Sequence, residues 1–314
     1  MTLEWWDYNH YSRVTSFLLS FCILCIFSFH LYFHQKYVIL KAVLEGSTIM
    51  KRKLGINIDC LVGVSELDAL DLAKAAGFET FFSNSYKNNI VSPVKKKADA
   101  LGLTYEFIHA PYRNINELWT NGTGYVEVME YMKESIDTAA NNGIGMVITH
   151  VSSGWNPPPV NDLGLSRFDK LVLYAKERGI TLAFENLRLL GNLACLVDRY
   201  EKEENVRFCF DCGHEHCYTK TICMMDVFTT RVCCTHIHDN HGRPFDDKVN
   251  DHDEHLLPFD GTYNYEKMMR KLDEYNYAGS LMLEVTQKNA DYSKMSAEDF
   301  LATCYERIER ISKM

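Results

Sequence analysis

Alternation is the feature that limits this chain most. From Leu54 onward, short apolar runs rich in Ile, Val, Phe and Leu trade places with longer stretches of helical periodicity, the form taken by repeated βα units. The strand candidates, in order, are LGINID, FETFFS, TYEFIH, GMVITH, TLAFEN, VRFCFD, CTHIHD and LMLEVT. Between them the spacing predicts helices such as 66–76, 125–141, 166–178, 190–203 and 265–275. Gly77, Gly102, Gly143, Gly179 and Gly279 each fall just past a helix and just before a strand, where a residue with positive φ stops a helix. Eight such units in roughly 260 residues have the size and rhythm of a (β/α)8 TIM barrel, an α/β fold. No linker or low-complexity tract interrupts them, so residues 50–314 are expected to form one domain. A doubly wound open sheet is the runner-up, but no G-x-G-x-x-G follows the first strand.

Residues 1–49 stand apart as a hydrophobic extension. The stretch 15–33, TSFLLSFCILCIFSFHLYF, is nearly free of charge and long enough to span a bilayer as a helix. Read literally it is a membrane segment, and Lys51, Arg52 and Lys53 behind it, against Arg13 before it, leave the barrel on the cytoplasmic side. The other reading is an upstream mis-start. The barrel pattern begins abruptly at MKRKLGINIDC, and Glu45-Gly46 requires the purine-rich codons GA(A/G)GGN just where a bacterial ribosome-binding site precedes a start at Met50. A cytoplasmic barrel is expected either way, with a membrane as partner only if residues 1–49 are genuine.

Charge narrows the partners. Lys and Arg number 33 against 42 Asp and Glu, a net charge of −9. Residues 1–49 hold three of each sign, so removing them changes nothing. Such a chain offers no basic surface to neutralise a nucleic-acid backbone. The 11 cysteines are odd in number and irregularly spaced, which suits reduced thiols rather than a disulfide framework.

The informative residues close the strands. His109 ends YEFIH, His150 ends MVITH, Glu185 ends LAFE, Asp211 ends FCFD, His238 ends CTHIH and Glu284 ends MLE. One polar residue at a strand end is ordinarily a capping group; six consecutive strands with one each require a common cause. The carboxyl ends of the strands are where barrel enzymes build their sites. Histidine mixed with carboxylate is the donor set for Zn²⁺, Mn²⁺, Co²⁺ or Fe²⁺ rather than for Ca²⁺ or thiolate-bound zinc. A divalent ion also offsets the cost of placing Glu185 and Glu284 at the mouth of an apolar barrel. The stretch CFDCGHEHC lacks the second C-x-x-C of a zinc ribbon, and Cys233 and Cys234 read as small core residues. His216, His236, His241 and His252 are read as supporting or solvent-facing groups outside the ligand set. Trp155, Asn186 and Tyr112, on loops after strands, are candidates to touch substrate.

FEN with Glu185, FDCGH with Asp211 and His214, HIHDN with His238, DEHLLPFDG with Asp253 and His255, and LEV with Glu284 together resemble the xylose-isomerase-like TIM barrels, the sugar phosphate isomerases and epimerases. The resemblance runs from about Lys51 to the carboxyl terminus. It implies a metal-dependent sugar or sugar-phosphate isomerase or epimerase. The ketose 3-epimerase branch implies one divalent ion (Mn, Co, Mg or Zn) on Glu185, Asp211, His238 and Glu284, with His214 on the substrate. In the implied chemistry Glu185 and Glu284 pass a proton through an enediolate. A basic residue after the HxH strand holds the sugar in such epimerases, and Arg243 stands near that place. The endonuclease IV branch of the same superfamily implies the alternative, a phosphodiesterase with a three-zinc cluster. Its ligands match His109, His150, Glu185, Asp211, His214, His238, Asp253, His255 and Glu284, so His109, His150, His214, Asp253 and His255 are candidates for further ions or for substrate. The acidic net charge disfavours duplex DNA. A third reading is a membrane-tethered barrel that binds sugar without turnover. The expected partner is a small sugar or sugar phosphate, and a homo-oligomer is left open.

Overall fold

The computed structural model describes residues 51–314 except residues 245, 248, 249 and 290. The hydrophobic stretch 15–33 and Met50 lie outside the described residues. Among the described residues no helix is long and apolar enough to cross a membrane.

Eight strands are described: β1 (Leu54–Asn57), β2 (Thr80–Ser83), β3 (Thr104–His109), β4 (Met146–Thr149), β5 (Thr181–Glu185), β6 (Val206–Asp211), β7 (Val232–His236) and β8 (Leu281–Leu283). They pair in parallel in the order β7-β6-β5-β4-β3-β2-β1-β8. The ring closes through Ile237, whose N–H donates to Met282 O at 2.8 Å while Glu284 N–H donates to Ile237 O at 3.0 Å. Parallel neighbours need a crossover. Those crossovers are α1 (Glu66–Ala76), α2 (Asn88–Leu101), α3 (Tyr125–Asn141), α4 (Asp162–Glu177), α5 (Leu190–Arg199), the short α6 (Cys212–Tyr218) and α7 (Met224–Phe228), and α8 (Tyr265–Glu274); α9 (Ala297–Ser312) ends the chain.

The predicted alternation therefore holds, with shifts at the element ends. Helix α4 begins at Asp162 rather than 166 because Asn161 caps it, its side chain accepting from the Gly164 N–H. Four of the five predicted stop glycines have positive φ, Gly77 at 111° among them; Gly279 does not. Asn276, at φ 54°, makes that turn after α8, while a Cβ on Gly279 would lie 2.4 Å from the Tyr277 hydroxyl oxygen.

The strands alternate between two cores. Ile56, Phe81, Ile108, Val147, Phe184, Phe208 and Phe210 face outward into the layer between sheet and helices. Phe82, Phe107, Ile148, Ala183, Cys209, Cys234 and Met282 fill the barrel interior. The residue two places later on each of β3 to β8 faces inward one level higher. Those residues are His109, His150, Glu185, Asp211, His236 and Glu284.

Candidate metal centre

The polar floor of the barrel mouth is organised around one carboxylate. Glu185, at the end of β5, is 1% exposed and has four imidazoles about it. His109 Nε2 and His150 Nε2 each lie 3.1 Å from Oε2, and His214 Nδ1 and His236 Nδ1 each lie 3.2 Å from Oε1. His236 Nδ1 is also 3.3 Å from Glu284 Oε2 and 3.7 Å from Asp211 Oδ2. On the other side of Asp211, His238 Nε2 lies 3.2 Å from Oδ1. Asp253 then gathers His214 Nε2 at 3.1 Å and His255 Nε2 at 3.3 Å.

Several of these rings are held by backbone. The Nδ1 atoms of His109, His214 and His255 lie 2.9, 2.9 and 3.0 Å from the carbonyl oxygens of Ala110, Asn186 and Glu284. A carbonyl accepts only, so each Nδ1 carries the proton and each Nε2 turns its lone pair toward a carboxylate. Two acceptors at 3.1–3.3 Å require a cation between them, either a second proton or a metal ion. Imidazole held through its other nitrogen by a carbonyl is the usual support of a metal-bound histidine. His238 Nδ1, His236 Nε2 and Asp253 Oδ1 are buried with no hydrogen-bond partner.

The charges respond to this crowding. Burial alone would push Glu185 up, but the imidazoles led by His236 and His150 hold its carboxyl well below the usual carboxylate range. Burial opposes charge on His236, and Glu284 and Glu185 overcome it, raising it to about 9. Asp253 does the same for His255, to about 10. Among the described residues, four sets could each hold a metal ion, with ligand atoms within 4.8 Å of one another: Glu185, Asp211, His236 and Glu284; His109, His150 and Glu185; His109, His236 and Glu284; and His214, His238, Asp253 and His255.

Backbone chemistry fixes the arrangement. Asp211 caps α6 by accepting from the His214 N–H at 2.6 Å, which puts His214 one turn from the strand end. Gly213 in that turn is required by close approach, since a Cβ there would lie 2.0 Å from His238 Cε1. Between β6 and β7 the register jumps from Phe208↔Val232 to Cys209↔Cys234, which sets His236 level with Asp211.

His236 is therefore a potential donor beside Glu185 that sequence reasoning left outside the candidate set. It stands beside Glu185, Asp211 and Glu284, and His238, two residues on, joins the group around Asp253. Both histidines have inward parity, so the available signal was the height of the strand pairing rather than its alternation. The other predicted ligands His109, His150, His214, Asp253 and His255 all gather at the mouth. The predicted substrate residues divide differently. Asn186 is fully buried and braces two strands, its amide donating to Asp211 O and accepting from Asp211 N–H, both at 2.8 Å. Trp155 packs edge-on to Tyr218 at the rim, with the Arg243 guanidinium 4.3 Å from its ring centroid. Tyr112, half exposed, stacks on His150 with centroids 4.3 Å apart. A cavity of about 570 Å³ opens over this floor, lined by Tyr112, His150, Glu185, Arg188, His255 and Glu284 among others.

The model of the xylose isomerase-like TIM barrel matches residues 70–304. The chain belongs to that family. An uncharacterized protein of Sinorhizobium fredii, y4fM, is 28% identical over 67% of this chain and 67% of its own length. The xylose isomerase domain protein of Planctomyces limnophilus superposes with a TM-score of 0.66 at 18% identity, over 83% of this chain and 96% of that one. D-psicose 3-epimerase of Clostridium cellulolyticum does so at 0.64 and 13%, over 83% and 98%. At such identities the family's barrel is what these structures share with the chain; the chemistry rests on the residues at its mouth.

Proposed function

We propose that the chain is a divalent-metal-dependent isomerase or epimerase of a sugar or sugar phosphate. The observation that carries this is the donor group Glu185, Asp211, His236 and Glu284, gathered under a cavity of monosaccharide scale with Glu284 reaching it. Family membership and the likeness to proteins named as ketose 3-epimerases support the same reading. A bound ion would supply Lewis-acid polarisation of a sugar carbonyl.

The chain's own groups divide the proton work. Glu284 keeps 15% of its side chain exposed and takes the proton beside the carbonyl. The proton returned on the far face is one shared between Glu185 Oε2 and the facing Nε2 of His109 or His150; His150, at 10% side-chain exposure, passes in its replacement from the cavity, and Glu284 gives up the proton it took to solvent. Return at the same carbon from the far face inverts it, whereas return at the neighbouring carbon isomerises aldose and ketose. The test is carbon-bound hydrogen exchange in deuterated water over a panel of ketoses and ketose phosphates, with Glu284→Gln as control. Wild-type exchange that vanishes in the variant supports the reading; no exchange with any sugar in metal-loaded protein overturns it.

One observation favours a second reading. The groups around His109, His150 and Glu185 and around His214, His238, Asp253 and His255 are further sets of ligand atoms, and Glu185 is shared between two sets. Three ions would suit phosphoester hydrolysis, as the endonuclease IV branch implies. Close to three Zn²⁺ per chain together with cleavage of an abasic duplex would replace the first reading with this one.

A further inference from the structure

We propose that Arg188 is the anchor for a phosphate group, so that the cavity takes a phosphorylated sugar; the sugar part rests on the reading above. Arg188 follows Glu185 by three residues, in the loop between β5 and α5. Among the described residues it is the one Lys or Arg lining the cavity. The other charged side chains there are carboxylates, Glu185, Asp251, Asp253 and Glu284, and imidazoles.

Its guanidinium is placed in advance. It lies 4.3 Å from the Tyr218 ring centroid and 5.7 Å from that of Trp155. Trp155 also carries Arg243 at 4.3 Å. Arg243 is tied to backbone, its Nε and Nη1 donating to Cys217 O and Asp247 O at 3.1 and 2.6 Å. Two guanidinium groups thus share one indole on the rim of a chain whose net charge is −9. Aromatic contact fixes a guanidinium plane without using its N–H donors, which leaves a fork matched to phosphate oxygens.

The ion partner of Arg188 is Asp251, with Nη2 3.0 Å from Oδ2. That carboxylate is 63% exposed on its side chain, against 20% for Arg188. A pair whose carboxylate is this exposed adds little stability. A phosphate dianion carries more charge than Asp251 and displaces Oδ2 from the guanidinium, while Oδ1 keeps its bond from the Tyr218 hydroxyl at 2.8 Å. Binding energy gathered at the rim then serves the reaction at the floor.

Calorimetric titration of metal-loaded protein with D-glucitol 6-phosphate and with D-glucitol tests this, because neither compound has a carbonyl to react. The phosphate compound should bind at least ten-fold more tightly to wild type. Arg188→Gln should remove at least ten-fold of that affinity, with D-glucitol binding and metal content unchanged, and Arg188→Lys should recover part. Asp251→Asn should strengthen phosphate binding a few-fold, whereas a purely structural ion pair would leave it unchanged or weaker. The proposal is overturned by equal binding of the two compounds to wild type, or by a phosphate preference that survives in Arg188→Gln, which would put the phosphate on the metal ions. Arg188-dependent binding without any carbon-bound hydrogen exchange in ketose phosphates keeps the anchor and removes the isomerase.

Discussion

Two levels of the same barrel interior differ in almost everything except their strands. The lower level, Phe82, Phe107, Ile148, Ala183, Cys209, Cys234 and Met282, is apolar and sealed. One strand period higher, the same ring presents His109, His150, Glu185, Asp211, His236 and Glu284. The lower level holds the strands together and supplies a rigid, low-dielectric floor; the upper level spends part of that stability on concentrated charge. His236 shows the join between them: its ring stacks on Phe82 with centroids 5.0 Å apart while its Nδ1 faces Glu185 and Glu284. An apolar layer beneath strengthens every charge interaction above it, so the site's electrostatics depend on the packing of residues that touch no substrate.

The contrast can be broken from either side. The largest effect is expected at the shared carboxylate: Glu185→Gln should lower sugar hydrogen exchange by roughly 10²–10⁴-fold and reduce bound metal, measured by isotope exchange and elemental analysis. In the lower level, Phe107→Ala should cost about 3–5 kcal/mol in denaturant unfolding. A smaller loss there would mean that the layer collapses around the gap. His236→Asn and His238→Asn sharpen the comparison within one strand. The first should weaken metal binding at the Glu185 group by about 10–100-fold and abolish exchange, whereas the second should deplete the Asp253 group and leave more of the exchange. Equal effects on exchange would return His238 to the central ligand set.

The smallest effect concerns pH. The His236 and His255 pKa values, about 9 and about 10 in the folded chain, stand above the ordinary value of 6.5. Their contribution to the stability of metal-free protein is therefore complete below about pH 6.5 and is lost as pH rises through 9 to 10. Chelated protein should melt lower at pH 10 than at pH 6.5, by on the order of 5 °C. Metal-loaded protein should not follow it, because ions replace the protons. Parallel melting curves for the two forms would show that protons, not metal ions, balance these carboxylates.

The fold was legible because a parallel barrel needs every strand buried on both faces and every strand followed by a crossover, and both demands mark the sequence locally. The ends of β3 and β6, His109 and Asp211, could be read from alternation alone. The polar donors at the barrel mouth were legible as a set of residue types at strand ends, Glu185 and Glu284 included. Assigning each histidine to its group was not. That depends on the register jump between β6 and β7, on the Gly213 turn that lets α6 approach His238, and on the loop return that brings Asp253 and His255 over the floor. Asn186 lay in the expected loop, yet its amide is consumed by the backbone of Asp211.

Arg188 carries the same lesson in the other direction. Nothing near it in sequence distinguishes it from other loop arginines, and its meaning comes from Tyr218 and Trp155, which reach it from other loops. The sequence by itself determined the barrel, the inward parity of its polar residues and the chemistry of the donor set, because hydrophobic period and residue type are local properties. Only the tertiary structure decided which donors share a site and which cation faces the cavity. Those depend on strand height and loop return, which are set by contacts between residues far apart in the chain.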